Sequence, residues 1–314
     1  MVFNIHEEIR KNKQRTIFIF ILFFLYIGLI GGLTGIIFGG YTKGNLFDLQ
    51  SIIFSISISL IIAIIYVLIF LNSGDKIILK GVGAKEVSRE HYPFLYHTTE
   101  ALSIAAGLKT PPKCYVIDDP ALNAFATGFK PEKSYVVVTT GLLNKLNRQE
   151  LEGVLAHEIS HIKNRDIKVM LLAAGLVGAT VFLADLLFRM FIFAPNHEGN
   201  NEKKDGKILI IVFVFWFILI IFSPIAAQLI KLAISRNREY LADSTAAQLT
   251  RYPEGLASAL EKIKNDPNPL IKGANKATAH LFISSPFRKK SGLSNLFSTH
   301  PPIEERIKRL RGQI

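Results

Sequence analysis

The chain has 314 residues, of which 49% are hydrophobic, a formal net charge of +12 and a single cysteine, Cys114. One cysteine excludes an intrachain disulfide. Such a positive charge is typical either of nucleic-acid binding or of basic residues that flank membrane helices; no basic helix with interleaved aromatic residues supports the first, so no nucleic-acid partner is expected.

Four long apolar segments contain much of the hydrophobic content, at residues 17–39, 52–71, 169–194 and 208–230. Each is long enough to cross about 30 Å of hydrocarbon as a helix. The sequence therefore predicts four transmembrane helices. For the third segment, a helix within a cytoplasmic hydrophobic bundle is the alternative, and whether the third and fourth segments cross completely stays open.

The basic residues predict the orientation of the first two segments. Several lysines and arginines precede the first segment, the connection at 40–51 contains only Lys43, and three lysines follow the second segment. Because cytoplasmic loops are enriched in lysine and arginine, the N-terminus and the chain after residue 72 are both expected in the cytoplasm. The first segment is too long for a signal peptide and is followed by no clear cleavage site, so it is expected to be a retained anchor.

After residue 72 the composition becomes that of a soluble domain. The pattern predicts a helix at 94–106, then short β-rich runs at 114–117, 123–129 and 135–139 that form two or three strands of a small sheet. The stretch Asn123, Ala124, Phe125, Ala126 has two readings. It is either a plain strand, or an exposed edge that pairs with an extended peptide substrate, for which the small alanines leave room.

The next helix, predicted to start after Asn147, contains the motif His157-Glu158-x-x-His161. Two histidines four residues apart lie on one helical face, so both rings can reach one metal ion. Glu158 then lies beside that ion and can take a proton from water. This is the pattern of a zinc metalloprotease.

Two histidines leave a catalytic zinc ion one protein ligand short. The predicted helix at 235–250 supplies a candidate in Glu239, and Asp243, one turn later, can orient a histidine ring from outside the ligand sphere. The alternative for Glu239 is an ordinary solvated side chain.

The tail at 267–298 is expected to be mainly loop, and a short helix follows Thr299-His300-Pro301-Pro302. His280 and His300 are capable of ligation, but a single loop histidine is usually just exposed.

Four stretches together resemble the HtpX heat-shock membrane metalloproteases, relatives of the CAAX prenyl endopeptidases. They are N-A-F-A-T-G at 123–128, H-E-I-S-H at 157–161, S-R-N-R-E-Y-L-A-D at 235–243 and T-H-P-P at 299–302. Their order and spacing agree over essentially the whole chain, and no metal position departs from the pattern.

The resemblance implies one Zn²⁺ per chain on His157, His161 and Glu239, with Glu158 as general base and acid and Asp243 outside the ligand sphere. It also implies a substrate-pairing strand at residues 123–126 and suggests His300 as a group that steadies the oxyanion.

The fold class expected is a mainly α membrane protein with a cytoplasmic α+β zincin-like domain. Its parts are a transmembrane hairpin at 1–72, the first part of the catalytic domain at 73–168, a second pair of apolar segments at 169–231 and the second part of the catalytic domain at 232–314.

The role that the resemblance implies is turnover of misfolded or damaged membrane proteins in quality control and the stress response. The expected location is the cytoplasmic (inner) membrane, with the lipid bilayer, unfolded or damaged substrates and other membrane quality-control proteases as partners.

A non-catalytic membrane scaffold or transporter component is the rival interpretation. A transporter would be expected to have ionisable residues or broken helices in several spans. An inactive scaffold would not be expected to retain Glu158.

Overall fold

The computed structural model describes residues 5–43, 45–192, 236–268, 278–284 and 301–312. Nine helices lie within these ranges: α1 (Ile5–Lys43), α2 (Leu49–Gly81), α3 (Pro93–Ala106), α4 (Thr140–Lys145), α5 (Arg148–Lys163), α6 (Asp166–Ile192), α7 (Arg236–Thr250), α8 (Pro253–Asn265) and α9 (Ile303–Arg311), together with a 3₁₀ turn at Ala279–Leu281. The strands are β1 (Lys85–Glu86), β2 (Lys113–Ile117), β3 (Ala124–Lys130) and β4 (Lys133–Thr139). The described chain is therefore mainly helical with one small sheet, as predicted.

The chain divides into two compact units. One is built from residues 1–16, 73–174 and 230–314, and the other from residues 17–72 and 175–229. The predicted division into segments 1–72, 73–168, 169–231 and 232–314 stays a prediction.

In the second unit, α1 and α2 pack closely through glycines. A Cβ atom at Gly35 would lie 2.5 Å from the Cα atom of Ile52, and one at Gly31 would lie 2.9 Å from the Cα atom of Ile56. Only glycine allows backbones to approach this closely, which is how small residues promote helix packing in membranes.

Helix α2 is long and apolar enough to cross a membrane, and α1 contains a shorter apolar stretch, Phe20–Ile36. Only 11% of the apolar window of α2 is buried, and Phe54 and Leu68 are each 61% exposed. A core helix of a soluble protein would be mostly covered, so this exposure favours contact with lipid. The third apolar segment begins within α6, and the fourth lies outside the described residues. A total of four spans stays a prediction.

The sheet has the order β1-β2-β4-β3. Strands β2 and β4 are parallel, whereas β1 pairs with β2, and β3 with β4, in antiparallel fashion. The three longer strands were predicted. Strand β1 was not, because two charged residues have no alternating pattern that a sequence can reveal.

Helix α5 packs on one face of this sheet. Alternate strand residues, including Val136 and Val138, join Val154, Leu155 and Ile159 of the helix in one buried core. The helix begins as predicted: the Asn147 side chain accepts from the Glu150 N–H, and the Glu150 carboxylate accepts from the Asn147 N–H.

Helix α8 crosses α5 next to the motif. A Cβ atom at Gly153 would lie 2.6 Å from the backbone nitrogen of Leu256, so the two helices meet at this glycine. The Glu150 carboxylate is also 2.8 Å from Ser258 Oγ and 2.7 Å from Lys262 Nζ. These contacts fix the first turn of α5, one to two turns before the first histidine.

Candidate metal centre

Helix α5 places both motif histidines and Glu158 inside the protein. His157 is 1% exposed, Glu158 2% and His161 5%. The two Nε2 atoms of the histidines are 3.2 Å apart, as expected for residues one helical turn apart on the same face. The motif therefore points two ring nitrogens at one location.

Helix α7 brings Glu239 to the same place. Its Oε2 atom is 3.8 Å from Nε2 of His157, and its Oε1 atom is 3.6 Å from Nε2 of His161. One potential ligand atom from each of these three residues lies within 4.8 Å of the others. The solvated alternative for Glu239 is wrong, because the residue is only 2% exposed.

Buried negative charges outnumber buried positive charges around the three ligand candidates. The described residues near the two histidines include four buried carboxylates and two buried guanidinium groups: Glu158, Asp166, Glu239, Asp243, Arg238 and Arg306. With both histidines neutral and all four carboxylates ionised, which is the protonation state that binds a metal ion, the formal charge of these groups is −2. Burying unbalanced charge is costly unless a counter-charge is supplied. A divalent cation supplies it, and two imidazoles with one carboxylate form a donor set that suits zinc.

The Nδ1 atom of each motif histidine lies next to a carboxylate, on the side of the ring away from the centre. Nδ1 of His157 lies 3.0 Å from Oδ1 of Asp243, and Nδ1 of His161 lies 3.1 Å from Oδ2 of Asp166. An ionised carboxylate can only accept a hydrogen bond, so each ring in its neutral form carries its proton on Nδ1 and presents the Nε2 lone pair to the centre. The position predicted for Asp243 agrees with this geometry, whereas Asp166 was not predicted as part of the site.

Arg306 is the second residue that the sequence did not reveal. It is fully buried, and its guanidinium contacts Asp243 through two bonds of 2.8 and 2.7 Å. Its Nη1 atom is 3.7 Å from Oε2 of Glu239. The only signal in the sequence was its place on a short helix after the T-H-P-P motif. Nothing in an amphipathic pattern indicates that an arginine turns inwards.

These charges separate the pKa values of the three motif residues. Burial lowers the pKa of His157 to about 4, with the Arg306 charge acting in the same direction. Burial raises the pKa of Glu158 to about 7. Burial also opposes the charged form of His161, but the hydrogen bond to Asp166 and the nearby carboxylates outweigh it and raise its pKa to about 9.

Of the residues predicted to bind substrate, Ala124, Phe125 and Ala126 lie on β3, an edge strand of the described sheet, and Asn123 directly precedes it. The backbone N–H of Ala126 donates a hydrogen bond to the Glu158 carboxylate. Upstream, the Ala124 carbonyl accepts from the N–H of Ile283 at 2.9 Å, and the Asn123 amide donates to the Ser284 carbonyl at 3.0 Å. The Phe125 ring packs edge-to-face against the Phe282 ring, with the ring centroids 4.8 Å apart. The edge at 123–124 is thus occupied by the protein itself, while Ala126 adjoins the centre. Substrate pairing stays a prediction.

His280 and His300 are the two further histidines that the sequence analysis considered as possible ligands. His300, predicted to steady the oxyanion, lies outside the described residues. His280 is buried, and its Nε2 atom is 3.0 Å from the carbonyl oxygen of Met170, where it donates a hydrogen bond. It is not among the described residues that gather at the metal centre.

The chain is similar to several known proteins. A protease HtpX homolog of Dictyoglomus turgidum is 48% identical over 98% of this chain and 95% of its own length. A protease HtpX homolog of Listeria monocytogenes serotype 4a is 40% identical over 97% of this chain and 98% of its own length. A crystal structure of S. mikatae Ste24p is 23% identical, with a TM-score of 0.39 over 68% of this chain and 49% of that one.

The model of peptidase family M48 matches residues 93–314, which include α5, α7 and every described residue of the centre. The chain therefore belongs to peptidase family M48 and is a membrane zinc metallopeptidase of the HtpX type.

Proposed function

We propose that this protein is an endopeptidase that cleaves misfolded or damaged membrane proteins at a zinc centre formed by His157, His161 and Glu239. The observation that carries the proposal is the position of Glu158. Its buried carboxylate adjoins the three ligand candidates and accepts a hydrogen bond from Ala126 on the edge strand. A peptide held along that strand would pass beside both the metal and a proton acceptor.

The chemistry follows from the charges of these side chains. A bound zinc ion would polarise the scissile carbonyl and make water a stronger nucleophile. Glu158, with a pKa raised to about 7, is suited to accept a proton from water and pass it to the leaving amine. Asp243 keeps the His157 proton on Nδ1, and Arg306 holds Asp243 in place through its paired hydrogen bonds.

Membrane substrates are proposed because the catalytic elements follow directly on a lipid-exposed helix. The last turns of α2 belong to the same unit as the sheet, and the Asp75 side chain is hydrogen-bonded to Tyr135 of β4. Exposed lysines at positions 76, 80 and 85 lie on and just after these turns. By the enrichment of basic residues on the cytoplasmic side, the centre faces the cytoplasm of an inner membrane.

Glu158→Gln tests the proposal directly. The variant should bind one zinc per chain with little change in affinity but cleave an unfolded reporter protein at least about 100-fold more slowly, because a glutamine cannot accept the proton. Zinc is measured by metal analysis of protein purified in detergent, and cleavage with and without a chelator.

Glu152→Gln is the matched control. Glu152 lies on the same helix, two residues after Glu150, and none of the described contacts of the centre involves it. The activity of this variant should therefore equal that of the unchanged protein. Normal turnover by Glu158→Gln would contradict the assigned role.

A further inference from the structure

We propose that Asp166 is a positioning residue that fixes His161 as a metal ligand and connects the histidine helix to the helix that carries Glu239. The inference rests on the zinc centre proposed above and adds to it a residue that neither the motif nor its spacing indicates. Three observations carry it: the contact with His161, the contact with Arg238 and the backbone turn between α5 and α6.

The first observation is the contact with His161. Oδ2 of Asp166 is 3.1 Å from Nδ1 of His161, and the carboxylate is buried at 2% exposure. In the neutral ring the carboxylate holds the one remaining proton on Nδ1, so the lone pair that a metal ion needs is on Nε2. That atom is the one that faces Glu239 and His157. The bond also holds the ring plane, because a histidine fixed at Nδ1 cannot rotate about its Cβ–Cγ bond without losing it.

The second observation is the contact with Arg238. The other carboxylate oxygen, Oδ1, is 3.6 Å from Nη1 of Arg238, which is 3% exposed and precedes Glu239 in α7. Asp166 therefore contacts the helix of the third ligand as well as the second histidine. Asp243 and Arg306 form a similar pair behind His157. In both places a carboxylate lies next to Nδ1 of the histidine and also contacts an arginine.

The third observation is the turn that brings Asp166 to this place. Helix α5 ends at Lys163, and Arg165 has a φ of 60°, a left-handed conformation that residues other than glycine rarely adopt. This residue interrupts the helical path after α5, and α6 then begins at Asp166. The carboxylate returns to a ring only five residues earlier. A continuous helix would place residue 166 more than 100° around the axis from residue 161.

Zinc affinity of the purified full chain in detergent, measured by chelator competition, tests the inference. Asp166→Ala should weaken zinc binding by about 10- to 100-fold, because the ring loses its orientation and tautomer. Asp166→Asn, which keeps an oxygen acceptor without the charge, should give a smaller loss. Substitution with Co²⁺ adds a spectroscopic measurement: both variants should alter the visible absorption bands, which respond to ligand geometry and not to global stability.

Asp266→Asn is the matched control. Its carboxylate is also ion-paired, at 3.0 Å from Lys145, and accepts from the Leu122 N–H, but it has no contact with the centre. It should leave zinc affinity and the Co²⁺ spectrum unchanged. Arg238→Gln removes the ion pair with Asp166 but leaves the contact between Asp166 and His161 in place, so it should weaken zinc binding less than Asp166→Ala does.

The outcomes separate the alternatives. Unchanged zinc affinity and Co²⁺ bands in both Asp166 variants would show that Asp166 serves only as a structural partner of Arg238, and an equal loss in Arg238→Gln would assign the effect to the ion pair. If Asp166→Ala does not fold, the isosteric Asp166→Asn still decides. Absence of zinc binding by the unchanged protein would instead overturn the centre itself, and the inference with it.

Discussion

Three neighbouring residues on one helix, His157, Glu158 and His161, have pKa values of about 4, 7 and 9. All three are buried, so burial alone does not separate them. The difference comes from their neighbours: Arg306 lies beside His157, whereas Asp166 and Glu239 lie beside His161. A sequence motif shows which residues share a helix face, but not which charges arrive from other helices.

This separation predicts the pH dependence of zinc binding. A ligand histidine must give up its Nε2 proton, and His161 holds that proton below about pH 9 while His157 is already neutral. Protons therefore compete with zinc as the pH falls, and affinity should decrease by about tenfold per pH unit between about 9 and 7. Histidines of ordinary pKa would compete only near pH 6. Chelator competition across this range measures the effect, and an affinity that is constant from pH 9 to 7 would contradict it.

At the scale of single elements, the sequence was most informative where local chemistry decides. The capping box at Asn147 and Glu150, the left-handed Gly107 that ends α3 and the three longer strands were all predictable, because each depends on residues close together in the chain. Strand β1 and the turn at Arg165 were not. A two-residue strand depends on its partner β2, and the left-handed arginine depends on contacts made by the helices on either side of it.

Gly153 provides a test at this scale. In Gly153→Ala the added methyl group would lie 2.6 Å from the Leu256 nitrogen, so α5 and α8 must move apart. The variant should lose about 1–3 kcal/mol of unfolding free energy and also bind zinc more weakly, because the motif helix shifts.

The measurements are thermal unfolding in detergent and chelator competition. Gly81→Ala is the control, since a Cβ at the end of α2 has nothing within 4 Å and should cost nothing. Equal behaviour of the two variants would show that the close approach at Gly153 is not required.

At the scale of the whole molecule, metal and fold should be coupled. The ligand candidates come from α5 and α7, which lie on opposite sides of the segment between residues 163 and 236 in the chain. Because zinc binds the folded arrangement, removing it with a chelator should lower the midpoint of thermal unfolding, and saturating zinc at 100 times its Kd should contribute about 2.7 kcal/mol. Glu239→Ala should lose most of this increment. An unchanged midpoint on chelation would show that the centre does not join the two segments.

Orientation in the membrane can be tested with introduced cysteines. Cys114 is only 2% exposed and should stay unlabelled, so the unchanged protein is its own background control. Asn45→Cys, between α1 and α2, should react with a membrane-impermeant maleimide on intact spheroplasts. Lys109→Cys, in the unit that contains the centre, should react only after permeabilisation. The reverse pattern would place the centre on the outer side.

Glu239 could be assigned as a ligand only with the family resemblance. The two motif histidines, Glu158, most of the longer helices, the three longer strands and the apolar character of α1 and α2 could be predicted from the residues alone. These features rest on spacing along the chain, where helical periodicity brings residues four apart together. The surroundings of the centre depend instead on tertiary packing: Asp166 lies next to His161, Arg306 contacts Asp243, and the backbone of residues 283 and 284 contacts residues 123 and 124 at the start of β3. Each of these contacts brings together side chains or backbone groups whose chain segments carry no shared pattern, so their electrostatic effects arise only when the elements pack.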